Sequence, residues 1–351
     1  MGFFDIRTEL VDGVSVIQAV GQRNCGKNYS TAHFIYDIVT GNSDSYKDGD
    51  DIERKYPEFL KPLFVPGAEF IYMRRYVKNE LRKTKNTFFD YEDLEKPIVC
   101  DGEDYYIIDG DIKRHCGYAF SLSTFPKGTE FPKVTVVVFD EYTITEQNVH
   151  YLPGEFEIFA KMLESVCRRR QNVLFILLGN AKNFFSPYTN GWGINLTEGQ
   201  KRWRSANGRV KYCLAYATGK EAERSNTLAG SIFAGTTYDK WAGNNEFTDN
   251  TTDNVKTKPG NAKYWCSIKY DGQLFTIWYD GRGMFVSNSK GEKRAIYSLD
   301  KENLKEGEFY FTRQNNQISR VKFFAQRGLL FYENLKIKDA FRYVIGFILR
   351  Y

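Results

Sequence analysis

Residues 14–27 read VSVIQAVGQRNCGK, an apolar run that leads into the Walker A pattern GxxxxGK. The apolar part predicts a buried strand, and the residues from Lys27 to about residue 40 predict a helix. A glycine-rich turn between a strand and a helix places backbone N–H groups and the positive end of the helix dipole where they can hold phosphate groups. The alternative is a glycine-bearing surface turn that binds nothing. We interpret the segment as a phosphate-binding loop.

The predicted nucleotide contacts lie in this loop and in the first turn of the helix. In such loops the lysine neutralises the β- and γ-phosphates of a nucleoside triphosphate. The next position, often Ser or Thr, is Asn28, whose side-chain oxygen is a hard neutral ligand that suits Mg²⁺. We therefore expect ATP and Mg²⁺ to be held by Gly21, Arg23, Asn24, Cys25, Gly26, Lys27 and Asn28.

A second apolar run, VTVVVF at residues 134–139, ends in Asp140 and Glu141. A run that is apolar on both faces is typical of a buried parallel strand. In P-loop enzymes such a strand end supplies an aspartate to Mg²⁺, and an adjacent glutamate can act as a general base on the attacking water. The alternative is an acidic turn after a strand. We predict Asp140 as a metal ligand and Glu141 as a catalytic residue.

Two further polar positions follow later in the first half. Residues 173–178 (VLFILL) predict another buried strand, after which Asn180 can sense the γ-phosphate or can simply end the strand. Apolar residues at helical spacing predict a helix that Arg168, Arg169 and Arg170 close. An arginine there either complements the helix dipole or reaches the γ-phosphate of a neighbouring subunit in a ring.

Composition limits the class of protein. The chain has 351 residues, of which 42% are hydrophobic and 26% are charged, enough for about two globular domains. A net charge of +5 is too small to establish nucleic-acid binding by itself. The six cysteines form no CxxC pair, and no apolar stretch approaches the roughly 20 residues that span a bilayer. We expect a reduced cytoplasmic protein without membrane association.

The two halves of the chain differ in pattern. In the first, buried strands, including residues 69–73, alternate with helices, which predicts a mainly parallel α/β sheet. In the second, two alternating runs at residues 264–270 and 273–279 meet at Asp271-Gly272 and predict a hairpin. A closing helix is predicted from Asn334 onward. We expect an α/β P-loop ATPase domain at 1–218, a helical linker or loop at 219–258, and a smaller α+β domain at 259–351.

The chain resembles the genome-packaging ATPases of small phi-29-like bacteriophages from about Val14 to Ile345. The resemblance implies an ASCE-type P-loop ATPase that assembles as a ring of five at the portal (connector) of an empty procapsid, with or without a structural RNA at the docking site. It implies transport of double-stranded DNA, driven by ATP hydrolysis in the host cytoplasm. Beyond the phosphate loop it rests on FIYMRRY at 70–76, VVFDE at 137–141, CRRR at 167–170, LGNA at 178–181, YDG at 270–272 and WYD at 278–280.

The resemblance also implies roles for single residues. Arg168 matches the arginine finger that acts in trans, Lys127 matches a second trans-acting basic residue, and Arg23 matches the arginine of the phosphate loop. Asn28 departs from the usual serine. The second domain looks like a ribonuclease-H-type fold that has lost its catalytic acids, so no nuclease activity is expected.

Three other functions stay open on the sequence alone. The first is a P-loop ATPase, GTPase or kinase with another task, although NAKN at residues 180–183 is a poor match to the guanine-reading pattern NKxD. The second is a DNA or capsid adaptor with a vestigial site, which Glu141 argues against. The third is another P-loop DNA translocase or a large terminase that also cuts DNA, which requires a carboxylate cluster in the second domain.

Overall fold

The computed structural model describes residues 2–21, 23–48, 50–126, 128–144, 149–181, 186–194, 196, 200–217, 228–233, 235–236, 254–292, 294–301, 304–312 and 315–350. The chain divides into two compact units, Met1–Thr248 and Asp249–Tyr351. Most of the predicted linker at 219–258 lies outside the described residues, so its limits stay a prediction, as do the domain limits next to it. Within the described ranges, no helix combines the length and the apolar character that crossing a membrane requires.

The first unit is built on a nine-stranded sheet with the order β10-β11-β1-β9-β8-β4-β7-β6-β5, beside a separate hairpin of β2 and β3. The strands from β11 to β7 in this order run parallel, and the edge strands are antiparallel. The strands are β1 (Val16–Gly21), β2 (Ser45–Lys47), β3 (Glu53–Lys55), β4 (Glu69–Arg74), β5 (Ile98–Asp101), β6 (Asp104–Asp109), β7 (Ile112–Ser121), β8 (Val134–Asp140), β9 (Leu174–Asn180), β10 (Arg202–Arg204) and β11 (Val210–Ala215).

Most helices of this unit lie between strands along the chain; the first precedes β1 and the last follows β11. The α-helices are α1 (Ile6–Glu9), α2 (Lys27–Thr40), α3 (Arg82–Thr84), α4 (Glu155–Cys167), α5 (Pro187–Gly191) and α6 (Leu228–Phe233). Short 3₁₀ segments occupy Glu58–Leu63 and Leu122–Thr124, and one π-helical turn occupies Val77–Leu81. The predicted mainly parallel sheet is confirmed, and the four predicted strands agree with β1, β4, β8 and β9 to within two residues at each end.

Burial on both faces explains why the central strands are apolar along their whole length. One face packs against α2 in a core that includes Phe34, Ile38 and Val138. The other packs against α4 in a core that includes Phe159 and Val137. Because the strands run parallel, β1, β8 and β9 all end at the same edge of the sheet, where the predicted site residues follow them.

The second unit has a six-stranded sheet with the order β16-β15-β12-β13-β14-β17. The predicted hairpin is confirmed: its turn has positive φ at Asp271 (47°) and Gly272 (71°), as a type I′ turn requires. The predicted closing helix is also confirmed, and the side chain of Asn334 caps it by accepting from the N–H of Ile337 at 2.9 Å. The elements are β12 (Lys263–Tyr270), β13 (Gln273–Tyr279), β14 (Met284–Ser287), β15 (Ile296–Ser298), β16 (Glu308–Tyr310), α7 (Asn316–Gln326), β17 (Leu330–Tyr332) and α8 (Leu335–Arg350).

Candidate nucleotide-binding site

The loop between β1 and α2 is closely packed on both sides. A Cβ atom on Gly21 would lie 1.7 Å from the carbonyl oxygen of Ala215 on β11, so only glycine fits there. Gly26 has φ of 105°, and a Cβ atom there would lie 2.7 Å from the carbonyl oxygen of Phe4. Both glycines of the GxxxxGK pattern are therefore required by the backbone, and α2 begins at Lys27 as predicted.

The N-terminal segment holds this loop from outside. The N–H of Phe4 donates to the carbonyl of Cys25 at 2.8 Å, and the N–H of Ile6 donates to Ser30 Oγ at 3.1 Å. The ammonium of Lys27 is buried and donates to the carbonyl of Gly21 at 3.2 Å. The lysine thus lies folded over the loop that binds β- and γ-phosphates in P-loop proteins.

Asp140 lies at the end of β8, opposite the first turn of α2. Its Oδ1 is 3.4 Å from Asn28 Nδ2, so the two predicted metal ligands are adjacent. Its Oδ2 accepts hydrogen bonds from the hydroxyl of Tyr72 at 3.1 Å and from Arg74 Nη1 at 2.7 Å. Burial raises the pKa of Asp140 above its ordinary value, and the positive charge of Arg74 opposes this shift.

The donor set suits Mg²⁺, which prefers carboxylate and amide oxygens. A half-turn of the Asn28 amide about χ2 exchanges its nitrogen for its oxygen beside Asp140, so both side chains can present oxygen to one ion. Asn28 can therefore serve in place of the usual serine at this position.

Arg74 joins the two predicted acidic residues. It lies at the end of β4, which pairs with β8, and its side chain is only 5% exposed. One guanidinium nitrogen binds Asp140, and the other binds Glu141 Oε2. Glu141 has a left-handed backbone (φ of 52°) and a half-exposed side chain. Arg74 was not predicted as a site residue; the signal was its place directly after a buried strand, in FIYMRRY.

Arg75, the next residue, has a different environment. Its guanidinium is fully buried and forms an ion pair with Glu155 at 2.8 Å, at the start of α4. It also donates to the carbonyl of Tyr142, just after Glu141. Arg75 therefore fixes α4 to the loop that carries the predicted catalytic glutamate.

Asn180 ends β9, which lies between β1 and β8. It is opposite Gly21 in the strand register. Its backbone is fixed by Thr143, whose hydroxyl accepts from the N–H of Asn180 at 2.9 Å and donates to its carbonyl at 3.1 Å. This contact ties the strand end beside the phosphate loop to the loop that carries Glu141.

The phosphate loop and the residues at the ends of β8 and β9 line one open cleft of about 1680 Å³ at the edge where the parallel strands end. Parallel α/β sheets bind ligands at this edge. The predicted site residues that line the cleft are Arg23, Asn24, Cys25, Gly26, Lys27, Asn28, Asp140, Glu141 and Asn180.

Arg168 lies far from this cleft in its own chain. Helix α4 starts next to Arg75 and runs back for 13 residues, or about 20 Å, before Arg168 follows its last residue. Arg170 marks that end, because it donates to the carbonyls of Phe131 and Val134 at the start of β8. Arg168 itself is half exposed and pairs with Glu130 at 2.8 Å. Lys127, the other predicted trans-acting residue, lies outside the described residues.

Comparisons with known proteins agree with the resemblance to packaging ATPases. The chain is 28% identical over 290 residues to the DNA packaging protein of Bacillus phage B103, covering 80% of this chain and 88% of that protein. It is 27% identical over 285 residues to the DNA packaging protein of Bacillus phage phi29, covering 78% and 83%.

Solved structures share the fold. A chain of the bacteriophage Phi-29 viral genome packaging motor assembly matches with a TM-score of 0.68 and 21% identity, covering 99% of this chain and 100% of that one. The Phi-28 gp11 DNA packaging motor matches with a TM-score of 0.60 and 17% identity, covering 99% and 97%. A family model described as Podovirus DNA encapsidation protein (Gp16) matches residues 52–345. This chain therefore belongs to the Podovirus DNA encapsidation protein (Gp16) family.

Proposed function

We propose that this chain is the ATPase subunit of a motor that moves double-stranded DNA into an empty viral procapsid. The observation that carries the proposal is the meeting of the phosphate loop, Asp140 and Glu141 at one sheet edge, in a member of a DNA encapsidation family. In P-loop enzymes this arrangement binds a nucleoside triphosphate and positions a water for attack on its γ-phosphate.

The binding step uses the backbone of the loop and the side chain of Lys27. The N–H groups at the start of α2 and the helix dipole attract the phosphates, and the lysine neutralises the charge on the β- and γ-phosphates. The ammonium exchanges its contact with the Gly21 carbonyl for phosphate oxygens. Asn28 and Asp140 would hold Mg²⁺, which when bound would neutralise charge on the phosphate oxygens.

The chemical step requires Glu141 to be released. A general base must accept a proton from water, and here the carboxylate is bound by Arg74. Because Arg74 also binds Asp140, a shift of its guanidinium toward Asp140 alone frees Glu141 without leaving a buried carboxylate unpaired. We assign this ion pair the role of keeping the base inactive until the site is complete.

The position of Arg168 supports action on a neighbouring subunit. About 20 Å of helix separates it from its own cleft, so it cannot reach the γ-phosphate there. Its exposed guanidinium can instead enter the cleft of the next subunit in a ring, where it would stabilise the charge of the transition state. We propose a homopentameric ring, with Lys127 acting beside Arg168.

The remaining assignments complete the proposal. The ring acts in the host cytoplasm and docks on the portal of the procapsid, with or without a structural RNA. The second unit is proposed to have a ribonuclease-H-like fold without nuclease activity. Three antiparallel strands, β12 to β14, with β15 and β16 parallel to the first of them, support that fold.

One experiment distinguishes the roles of Lys27 and Glu141. Lys27→Ala should abolish ATP binding, whereas Glu141→Gln should preserve binding and abolish turnover, because an amide cannot accept the proton from water. Glu157→Gln, on an exposed position of α4, is the matched control and should behave as the wild type. Loss of binding in Glu141→Gln would indicate a structural role for this residue.

A further inference from the structure

We propose that Tyr29, His33, Tyr91 and Asp93 bind the adenine base of the nucleotide; the proposal rests on ATP binding at the phosphate loop. The rings of Tyr29 and His33 lie 4.0 Å apart between centroids, and the Tyr91 ring stands edge-on to Tyr29 at 5.2 Å. All four residues line the same cleft as the loop. Tyr29 is 41% exposed, so a large aromatic surface faces the cleft. Nucleotide and cofactor pockets use such surfaces for the planar part of the ligand.

The position of the cluster on α2 corresponds to the base end of a nucleotide whose phosphates lie at the loop. Tyr29 is the third residue of α2, directly after the Lys27 and Asn28 that hold the phosphate end. His33 follows one turn later, about 6 Å further along the helix. Glu141, the proposed base at the γ-phosphate, lines the same cleft. A nucleotide that extends from the loop therefore brings its base against these rings.

The charges around the cluster favour the same orientation of the nucleotide, with its phosphates at the loop and its base at the rings. The carboxylates of Asp93 and Glu95 also line the cleft; they repel a triphosphate but can accept hydrogen bonds from the amino group of a base. Asp93 Oδ2 accepts from the hydroxyl of Tyr29 and lies 3.1 Å from His33 Nε2, while the carboxylate stays half exposed. Partial burial opposes ionisation, but several contacts, of which the hydrogen bond from Tyr29 is the largest, together outweigh it and lower the pKa of Asp93. Asp93 is therefore an acceptor at neutral pH.

The simplest alternative role for the cluster is to fasten the segment around Tyr91 to α2. That segment has a separate anchor, because the N–H of Lys96 donates to the hydroxyl of Tyr36 on α2 at 3.0 Å. The exposed surface of Tyr29 is not needed for this contact. If the role of Tyr29 were purely structural, substituting it would leave unchanged the difference in affinity between ligands with and without a base.

The test compares ATP with tripolyphosphate, which has no base, by calorimetric titration of the full chain in the presence of Mg²⁺. The wild type should bind ATP more tightly. Tyr29→Leu should weaken ATP binding about 5- to 150-fold, the range of a lost base–aromatic stack, and should leave tripolyphosphate binding unchanged. Tyr29→Phe keeps the ring and should stay close to the wild type. Tyr106→Leu, on β6, is the matched control for loss of a tyrosine.

A second variant preserves the rings. Asp93→Ala should narrow the preference for ATP over purine riboside triphosphate, which lacks the 6-amino group. Equal affinity of the wild type for ATP and tripolyphosphate would overturn the base site and leave the proposed function intact. An equal loss of both ligands in Tyr29→Leu would overturn it as well. If the wild type binds neither ligand, the proposed function fails and the base site fails with it.

Discussion

Removal of Arg74 should destabilise the first unit in a way that depends on pH. The guanidinium is 5% exposed and binds Asp140 at 2.7 Å, so Arg74→Leu leaves a buried carboxylate without its main counter-charge. Breaking a buried ion pair by removing one partner costs about 3–5 kcal/mol. The contact with the half-exposed Glu141 adds at most about 1 kcal/mol.

Protonation of Asp140 limits this cost. Neutralising a carboxyl whose ordinary pKa is 3.8 costs about 4 kcal/mol at pH 7 but only about 1.6 kcal/mol at pH 5. Burial already raises the pKa of Asp140, and the loss of Arg74 should raise it further. A carboxyl with a raised pKa in the folded state favours folding at low pH, and this contribution is lost as the pH rises above the unfolded value. The gap between wild type and Arg74→Leu should therefore widen from pH 5 to pH 7.

Urea-induced unfolding followed by circular dichroism measures this gap. Arg168→Leu, which breaks the exposed ion pair with Glu130, is the matched control and should cost no more than about 1 kcal/mol at either pH. The double variant Arg74→Leu/Asp140→Asn removes both charges. Its loss of stability should be clearly smaller than the sum of the losses in the two single variants. A gap of equal size at both pH values, together with additive losses, would refute this account of the site.

Three further predictions concern function and stability. Arg168→Ala and Glu141→Gln should each be inactive alone, but mixing the two variants should restore ATP hydrolysis. The reason is that a Glu141→Gln subunit still donates its arginine to a neighbour with an intact base. Inactivity at every mixing ratio would argue against action in trans. Binding to double-stranded DNA, followed by fluorescence anisotropy, should weaken steeply with salt and vary little with sequence, since a motor contacts phosphates; a clear preference for one sequence would favour a regulator. Burial opposes ionisation of Glu9, but hydrogen bonds from Arg202 and Lys211 outweigh it and lower the pKa of Glu9 below 4.5. Glu9→Gln should therefore cost about 1–3 kcal/mol of stability at neutral pH. The difference in melting temperature between the wild type and Glu9→Gln should shrink as the pH falls below about 4.5.

The sequence was most informative where burial is complete. Strands β1, β8 and β9 are apolar on both faces because helices cover both sides of the sheet, and this pattern marks their positions and their polar ends. Strands β5 to β7, which pair with one another in antiparallel fashion at one side of the sheet, were not predicted, because their side chains are partly exposed and include acidic and basic residues. Such mixed patterns do not distinguish a strand from a loop.

The part of the site that the sequence did not predict depends on strand order. Arg74 reaches Asp140 only because β4 pairs with β8, although 66 residues separate them along the chain. The distance of Arg168 from its own cleft likewise follows from the direction of α4 and not from the motif CRRR. The sequence left the dipole and trans interpretations of Arg168 equally open, and the direction of the helix is compatible with both.

We propose that hydrolysis of ATP at Glu141 is coupled to DNA. The most direct test of this coupling is steady-state ATP turnover by the full chain, measured with and without double-stranded DNA of random sequence, for the wild type and for Glu141→Gln. We expect turnover by the wild type that DNA stimulates, and none by Glu141→Gln under either condition. Absence of turnover by the wild type with and without DNA, or undiminished turnover by Glu141→Gln, would contradict the proposal.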